Sequence, residues 1–174
     1  MRIHFILASA ILIAGTATQA ATLTATVNKI DATSVGAPVG TVKFEDTKHG
    51  LMIEPNLSGL PAGNHGMHIH EKGACGPGDQ NGQPAAGFAA GGHLDPKKTG
   101  KHLGPGHADG HKGDVPMLAV ESDGKATLPV LVPHLKVADL HGRSLMIHTG
   151  GDNYADQPAP LGGGGARIAC AVLK

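Results

Sequence analysis

Six histidines and one aspartate stand in an order that could hold metal: His68-Ile-His70, His93, His102, His111-Lys-Gly-Asp114 and, far downstream, His148. His68 and His70 are two apart in Gly-Met-His-Ile-His-Glu. On a strand the side-chain period is two, so both imidazoles face one way and Met67 and Ile69 face the other, toward a core. A rigid pair of imidazoles suits copper, zinc, nickel or iron. His93, His102, His111 and Asp114 supply three imidazoles and a carboxylate, the closed four-ligand set of a structural zinc site. His148 sits in Leu-Met-Ile-His-Thr, a second short strand-like run that can return to the first pair. The order therefore offers two metal positions, one able to carry redox chemistry. The bland alternative is scattered surface histidines. Twelve histidines in a chain with no tryptophan and one tyrosine exceed what a core uses, and their local spacing argues for a site.

Short strands must position these residues. Apolar/polar alternation predicts them at 22–30, 40–46, 51–57, 65–71, 115–121, 126–132, 145–149 and 166–172. Gly59–Asn64 and Ser122-Asp-Gly124 read as turns. The pattern is that of an all-β sandwich or barrel. Residues 72–113 read as one long loop rich in Gly and Pro, with metal to organise it. A short helix is expected at Leu135–Leu140. Gly150–Gly165 reads as a second long loop. Its four glycines at 162–165 lack the Lys-Ser/Thr of a phosphate cradle.

The N-terminus carries Arg2 and His4, an apolar run over residues 5–14, and Thr18-Gln-Ala20. This reads as a signal peptide over residues 1–20, the run being too short to span a bilayer. The remaining 21–174 is one domain's worth of chain. Cys75 and Cys170 are the only cysteines. Export and an even count favour one disulfide, with two free thiols as the alternative. Formal net charge is zero, with no basic run or interleaved aromatics, so nucleic acid is not an expected partner.

Gly66-Met-His-Ile-His-Glu, Ala90-Gly-Gly-His-Leu-Asp-Pro, Gly110-His-Lys-Gly-Asp, Met146-Ile-His-Thr-Gly-Gly-Asp-Asn-Tyr and Gly163-Gly-Gly-Ala-Arg-Ile-Ala-Cys together resemble the copper/zinc superoxide dismutases, most closely their bacterial periplasmic branch. The resemblance covers essentially all of 21–174. It implies an all-β, eight-stranded Greek-key β-barrel or sandwich with two long functional loops. It implies one copper and one zinc ion per subunit, with superoxide as substrate and oxygen and hydrogen peroxide as products. His68, His70, His93 and His148 would hold copper, and His93, His102, His111 and Asp114 would hold zinc, with His93 shared. Asp152 would be the carboxylate linking the two sites and Arg167 the arginine beside the copper. Cys75–Cys170 would be the intrasubunit disulfide. The resemblance places the chain in the periplasm, free of the membrane after cleavage. It leaves a homodimer open, since that branch includes both monomers and dimers.

One departure lies in Gly106-His-Ala-Asp-Gly-His111, where His107 adds an imidazole. Either His107 or His111 could ligate; the resemblance favours His111, because Asp114 follows it at the family's spacing. His65 is expected to be a structural hydrogen-bonder, and His49, His134 and His141 surface groups. Lys72 and Lys112 are candidates for steering an anion. Two rival readings are a metal-buffering protein without catalysis and a β-sandwich interaction module. The first should lack a copper ligand or Arg167; the second leaves the ligand set unexplained.

Overall fold

The structure is a computed structural model and describes residues 19–174. The signal-peptide expectation therefore falls almost wholly outside the described residues. In β1 (Thr22–Ile30) Leu23, Ala25 and Val27 are buried while the alternate threonines are exposed. That period of two sets one face of the strand on a core. β2 (Val35–Thr47) and β3 (Gly50–Leu57) repeat it through Val42 and Phe44, and through Leu51, Ile53 and Leu57. Then come β4 (Gly63–His65), β5 (Met67–His70), β6 (Gly78–Gln80), β7 (Gln83–Ala85), β8 (Leu118–Val120), β9 (Val130–Val132), β10 (Arg143–His148) and β11 (Arg167–Leu173).

Seven of these strands form one antiparallel sheet in the order β5-β10-β11-β1-β2-β3-β9, and β4 pairs with β8. Ile69 at one end of that order and Val132 at the other share a single apolar cluster with Phe44, Leu145 and Ile147. The sheet therefore curls around one core, as the barrel expectation required. A smaller cluster of Ile30, Cys75, Ala90, Met146 and Cys170 lies on the other face. Among the described residues no helix is long and apolar enough to cross a membrane.

All eight expected strand segments contain strand. The 65–71 segment is broken at Gly66, which bonds instead to the 148–150 segment: its N–H to Gly150 O and its carbonyl from the His148 N–H. The helix expected at 135–140 is a single 3-10 turn, Val137–Asp139. The 72–113 loop is more structured than expected. It holds the β6–β7 hairpin and a turn at Phe88–Ala90. Asn81-Gly82 makes the hairpin turn with both φ positive (56° and 83°), as a two-residue Asn-Gly loop favours. Cys75 and Cys170 are bonded across 95 residues, which ties this loop to β11.

Candidate metal centre

β5 is buried on both faces. Met67 and Ile69 enter the main core, while His68 and His70 face the other way. β10 pairs with it so that Met146 opposes His68, and His148 lies two residues further on the same side. The third element is β11, where a register shift at Ile147/His148 leaves Ile168 unpaired and sets Arg167 opposite His148. Without that bulge Arg167 would share the phase of Ala169, which points into the core. An extra residue in one strand re-aims a side chain in this way.

Two groups of four donors form, and both contain His93: His68, His70, His93 and His148, and His93, His102, His111 and Asp114. All seven residues are buried. Within each group the donor atoms lie within 4.8 Å of one another. His93 stacks on His68 with ring centroids 4.0 Å apart and stands 5.2 Å from the His111 ring. The Asp114 Oδ1 atom is 2.9 Å from His93 Nδ1, 3.0 Å from His102 Nδ1 and 3.3 Å from His111 Nδ1. Ligands about 2.0 Å from a tetrahedral zinc are about 3.3 Å apart, so these spacings are near those of a zinc shell.

Four of the rings are held by one nitrogen and offer the other. His68 donates Nε2–H to Asp152 Oδ2 and His102 donates Nε2–H to Asp152 Oδ1, both at 2.8 Å. His70 donates Nδ1–H to Gly91 O at 2.9 Å, and His148 Nδ1–H to Gly165 O at 3.0 Å. Among the described residues the remaining nitrogens have no hydrogen-bond partner, although all are buried: His68 Nδ1, His70 Nε2, His102 Nδ1, His111 Nδ1 and His148 Nε2. Buried polar atoms are normally satisfied. Five such nitrogens turned toward two points, four of them on rings whose opposite nitrogen is fixed by carboxylate or carbonyl, make a donor set that fits metal. Asp152 joins the two groups, and is itself held by the Tyr154 N–H at 2.7 Å and through its own N–H to Met117 Sδ at 3.1 Å.

The electrostatics divide the site. Burial pushes His68 down to about 3, helped by the neighbouring charge of His93. Burial pushes His148 down to about 4 and His70 well below its ordinary value. These rings are neutral and ready to ligate. Burial also opposes the charged form of His102, but the neighbouring carboxylates of Asp114 and Asp152 outweigh it and push it up to about 9. Burial likewise opposes ionisation of Asp114, yet His102, His111 and His93 hold it far below the usual carboxylate range. It stays an anion among three imidazoles.

Arg167 is half-buried and locked. It donates Nη1–H to Gly87 O at 2.8 Å and Nη2–H to Gly91 O at 2.9 Å, and its guanidinium lies 4.3 Å from the centre of the Phe88 ring. With His148, Phe88, Leu161 and Gly164 it lines a cleft of about 470 Å³. A shallower depression of about 560 Å³ by Gly59–Ala62 and Ser122–Gly124 contains none of the histidines. Gly91 sits at φ 75° and ψ −152°, a conformation open to glycine and strained for residues with a side chain.

The remaining sequence expectations fall as follows. His107 is exposed and outside both donor groups, so His111 occupies the fourth place. His65 bridges the carbonyls of Pro61 (2.8 Å) and His148 (2.6 Å), a structural role. His49 and His141 are exposed; His134, also exposed, bonds Lys112 O at 3.0 Å. Lys112 pairs with Asp139 at 2.6 Å, and neither it nor Lys72 lines the cleft. Phe88, Asp156 and the carbonyls of Gly87, Gly91 and Gly165 were not anticipated. Backbone carbonyls leave no mark in a sequence. The four-glycine run could have been read as close backbone approach, since Gly164 lies against the His148 ring.

The fold and the paired donor sets are those of a two-metal oxidoreductase. The family description for copper/zinc superoxide dismutase matches residues 38–173. A superoxide dismutase [Cu-Zn] from Escherichia coli (strain K12) is 49% identical over 172 residues, 98% of this chain and 99% of that protein. The copper/zinc superoxide dismutase structure from Brucella abortus superposes with a TM-score of 0.86 at 46% identity, covering 88% of this chain and 100% of that one. The monomeric copper, zinc superoxide dismutase of Salmonella enterica gives 0.79 at 51%, with the same coverage. The chain belongs to the copper/zinc superoxide dismutase family.

Proposed function

We propose that this chain dismutes superoxide, holding copper with His68 Nδ1, His70 Nε2, His148 Nε2 and His93, and zinc with His93 Nδ1, His102 Nδ1, His111 Nδ1 and Asp114. The observation that carries the assignment is the set of five buried, unpartnered ring nitrogens. When bound, copper supplies one-electron chemistry, by which one superoxide is oxidised to oxygen and a second, with two protons, is reduced to hydrogen peroxide. The protein's part is to bind, orient and move protons. Arg167 docks the anion with a fixed charge and planar donors, already turned toward the cleft by the Gly87 and Gly91 carbonyls. His93 Nε2 is the proton store, since Nδ1 is committed to the Asp114 side. Asp152 fixes the tautomers of His68 and His102 together, so neither ring can turn without the other.

We read residues 1–20 as a signal peptide and 21–174 as the mature domain, active in the periplasm. The apolar run at 5–14, the disulfide and the bacterial relatives support this. N-terminal sequencing of protein from a periplasmic extract tests it, a start near Ala21 being expected and an intact Met1 being the contrary result.

Metal analysis with a superoxide-consumption assay on purified protein tests the activity. One copper and one zinc per chain with cyanide-sensitive turnover is expected. His93→Ala should fold and keep copper on three imidazoles, with activity strongly reduced and an altered copper spectrum. Wild-type turnover and spectrum in that variant would remove His93 from its shared position.

A further inference from the structure

Asp152 is not the sole tie between the zinc-side segment and the loop that walls the cleft. Asp156, four residues on, is half-buried, and its Oδ2 accepts the His102 backbone N–H at 2.9 Å. Its Oδ1 faces the Leu161 N–H at 3.4 Å. The intervening turn is closed by Gly162 N–H to Ala155 O and Asn153 N–H to Gly162 O, both 3.0 Å. Leu161 is thereby held at φ 53°, a left-handed conformation that bulky apolar residues seldom adopt. Leu161 is 45% exposed and lines the cleft that contains Arg167. Gly162 is buried against the linked pair: a Cβ there would lie 2.0 Å from Asp152 Oδ1 and 2.8 Å from His102 Nε2. A conformation of this kind persists where its surroundings over-determine it, and such places cluster at ligand sites.

We infer that Asp156 is a positioning residue, which holds Leu161 as an apolar wall of the anion cleft by fixing the Leu161 turn to the His102 backbone. An apolar wall beside Arg167 keeps water out and strengthens the pull of the guanidinium on a small anion. The width of the cleft is then set partly from the zinc side, through the backbone N–H of His102 rather than through its ring. This inference rests on the proposed role of the cleft as the route of superoxide.

The test uses the copper- and zinc-loaded protein carrying Asp156→Ala, Asp156→Asn or Leu161→Ala. One readout is hydrogen exchange at the His102 and Leu161 amides; the other is azide affinity, followed by copper absorption. Asp156→Ala should keep both metals, speed exchange at both amides by about tenfold, and weaken azide by about threefold. Asp156→Asn has a single acceptor oxygen and should restore protection at one amide but not both. Leu161→Ala should weaken azide to a similar degree with the His102 amide still protected. Unchanged azide affinity or unchanged Leu161 exchange in Asp156→Ala would overturn the inference. So would a zinc loss as large as that of Asp114→Asn, because Asp156 would then be part of the zinc scaffold. Failure of the dismutase reading shows elsewhere, as wild-type protein that holds both metals and consumes no superoxide.

Discussion

His107 and His111 sit four apart in one glycine-rich stretch, yet only His111 brings a ring nitrogen, Nδ1, to 3.3 Å from Asp114 Oδ1. Zinc affinity should therefore fall steeply in His111→Ala and stay near wild type in His107→Ala. Asp114→Asn removes the anion of that set and should weaken zinc by more than about 100-fold, the upper figure for outer partners of a metal site, with copper far less affected. Equilibrium dialysis with each metal decides both. Protonation gives a separate handle. In the metal-free protein His102 is raised above its ordinary 6.5 to about 9, so at pH 7 it carries a proton that zinc must displace. His68 and His148, lowered to about 3 and about 4, carry none at that pH. Zinc binding at pH 7 should release about one proton from His102, measurable by calorimetry in buffers of different ionisation enthalpy; zero release would contradict the assignment. The sign for stability follows. A raised histidine stabilises the metal-free fold below pH 6.5, and that contribution is lost as pH rises through about 9. Arg167 is no ligand, so Arg167→Ile should keep both metals while the second-order rate falls by roughly one to two decades, as for loss of one charge-assisted contact of about 1.5–3 kcal/mol. Lysine should recover part of it. Salt slopes from pulse radiolysis should be steeper in wild type than in the Ile variant.

Among the elements, β5 was legible because its alternation alone separates Met67 and Ile69 from His68 and His70. The β11 bulge was not, since nothing in Arg-Ile-Ala-Cys announces that Ile168 goes unpaired. The hairpin at Asn81-Gly82 carried a plain turn signal, but three-residue strands give too little alternation to reveal themselves. The donor residues were legible because their chemistry is in side chains. Their supports at Gly87, Gly91 and Gly165 act through carbonyls, which only the folded path brings into place. The disulfide belongs to this scale. It anchors the 72–91 segment, whose carbonyls hold both Arg167 and His70. A cross-link closing a loop of this length stabilises by about 4.7 kcal/mol in the chain-entropy account. Reduction should therefore lower the melting temperature and also loosen Arg167, so that the rate falls before copper is lost. Copper departing with no prior fall in rate would separate the disulfide from Arg167.

For the molecule as a whole, the seven buried side chains proposed to hold metal are a liability to the fold while they are empty, because five of them leave a ring nitrogen without a partner and orphaned buried polar atoms cost free energy. Chelation should lower the melting temperature well beyond the change seen on reduction alone, and readdition of zinc should restore much of it. The proposed shared place of His93 has a thermodynamic consequence. A metal held at either of its nitrogens would orient the ring for the other. Filling either position thus favours filling the second, and linkage requires the two effects to be equal. If zinc tightens copper by a given factor, copper must tighten zinc by that same factor, with a typical coupling of about 1–3 kcal/mol. Whichever metal arrives first, the chain reaches the same final state, so the order of loading in the cell is decided by supply and rate, not by the protein's own preference.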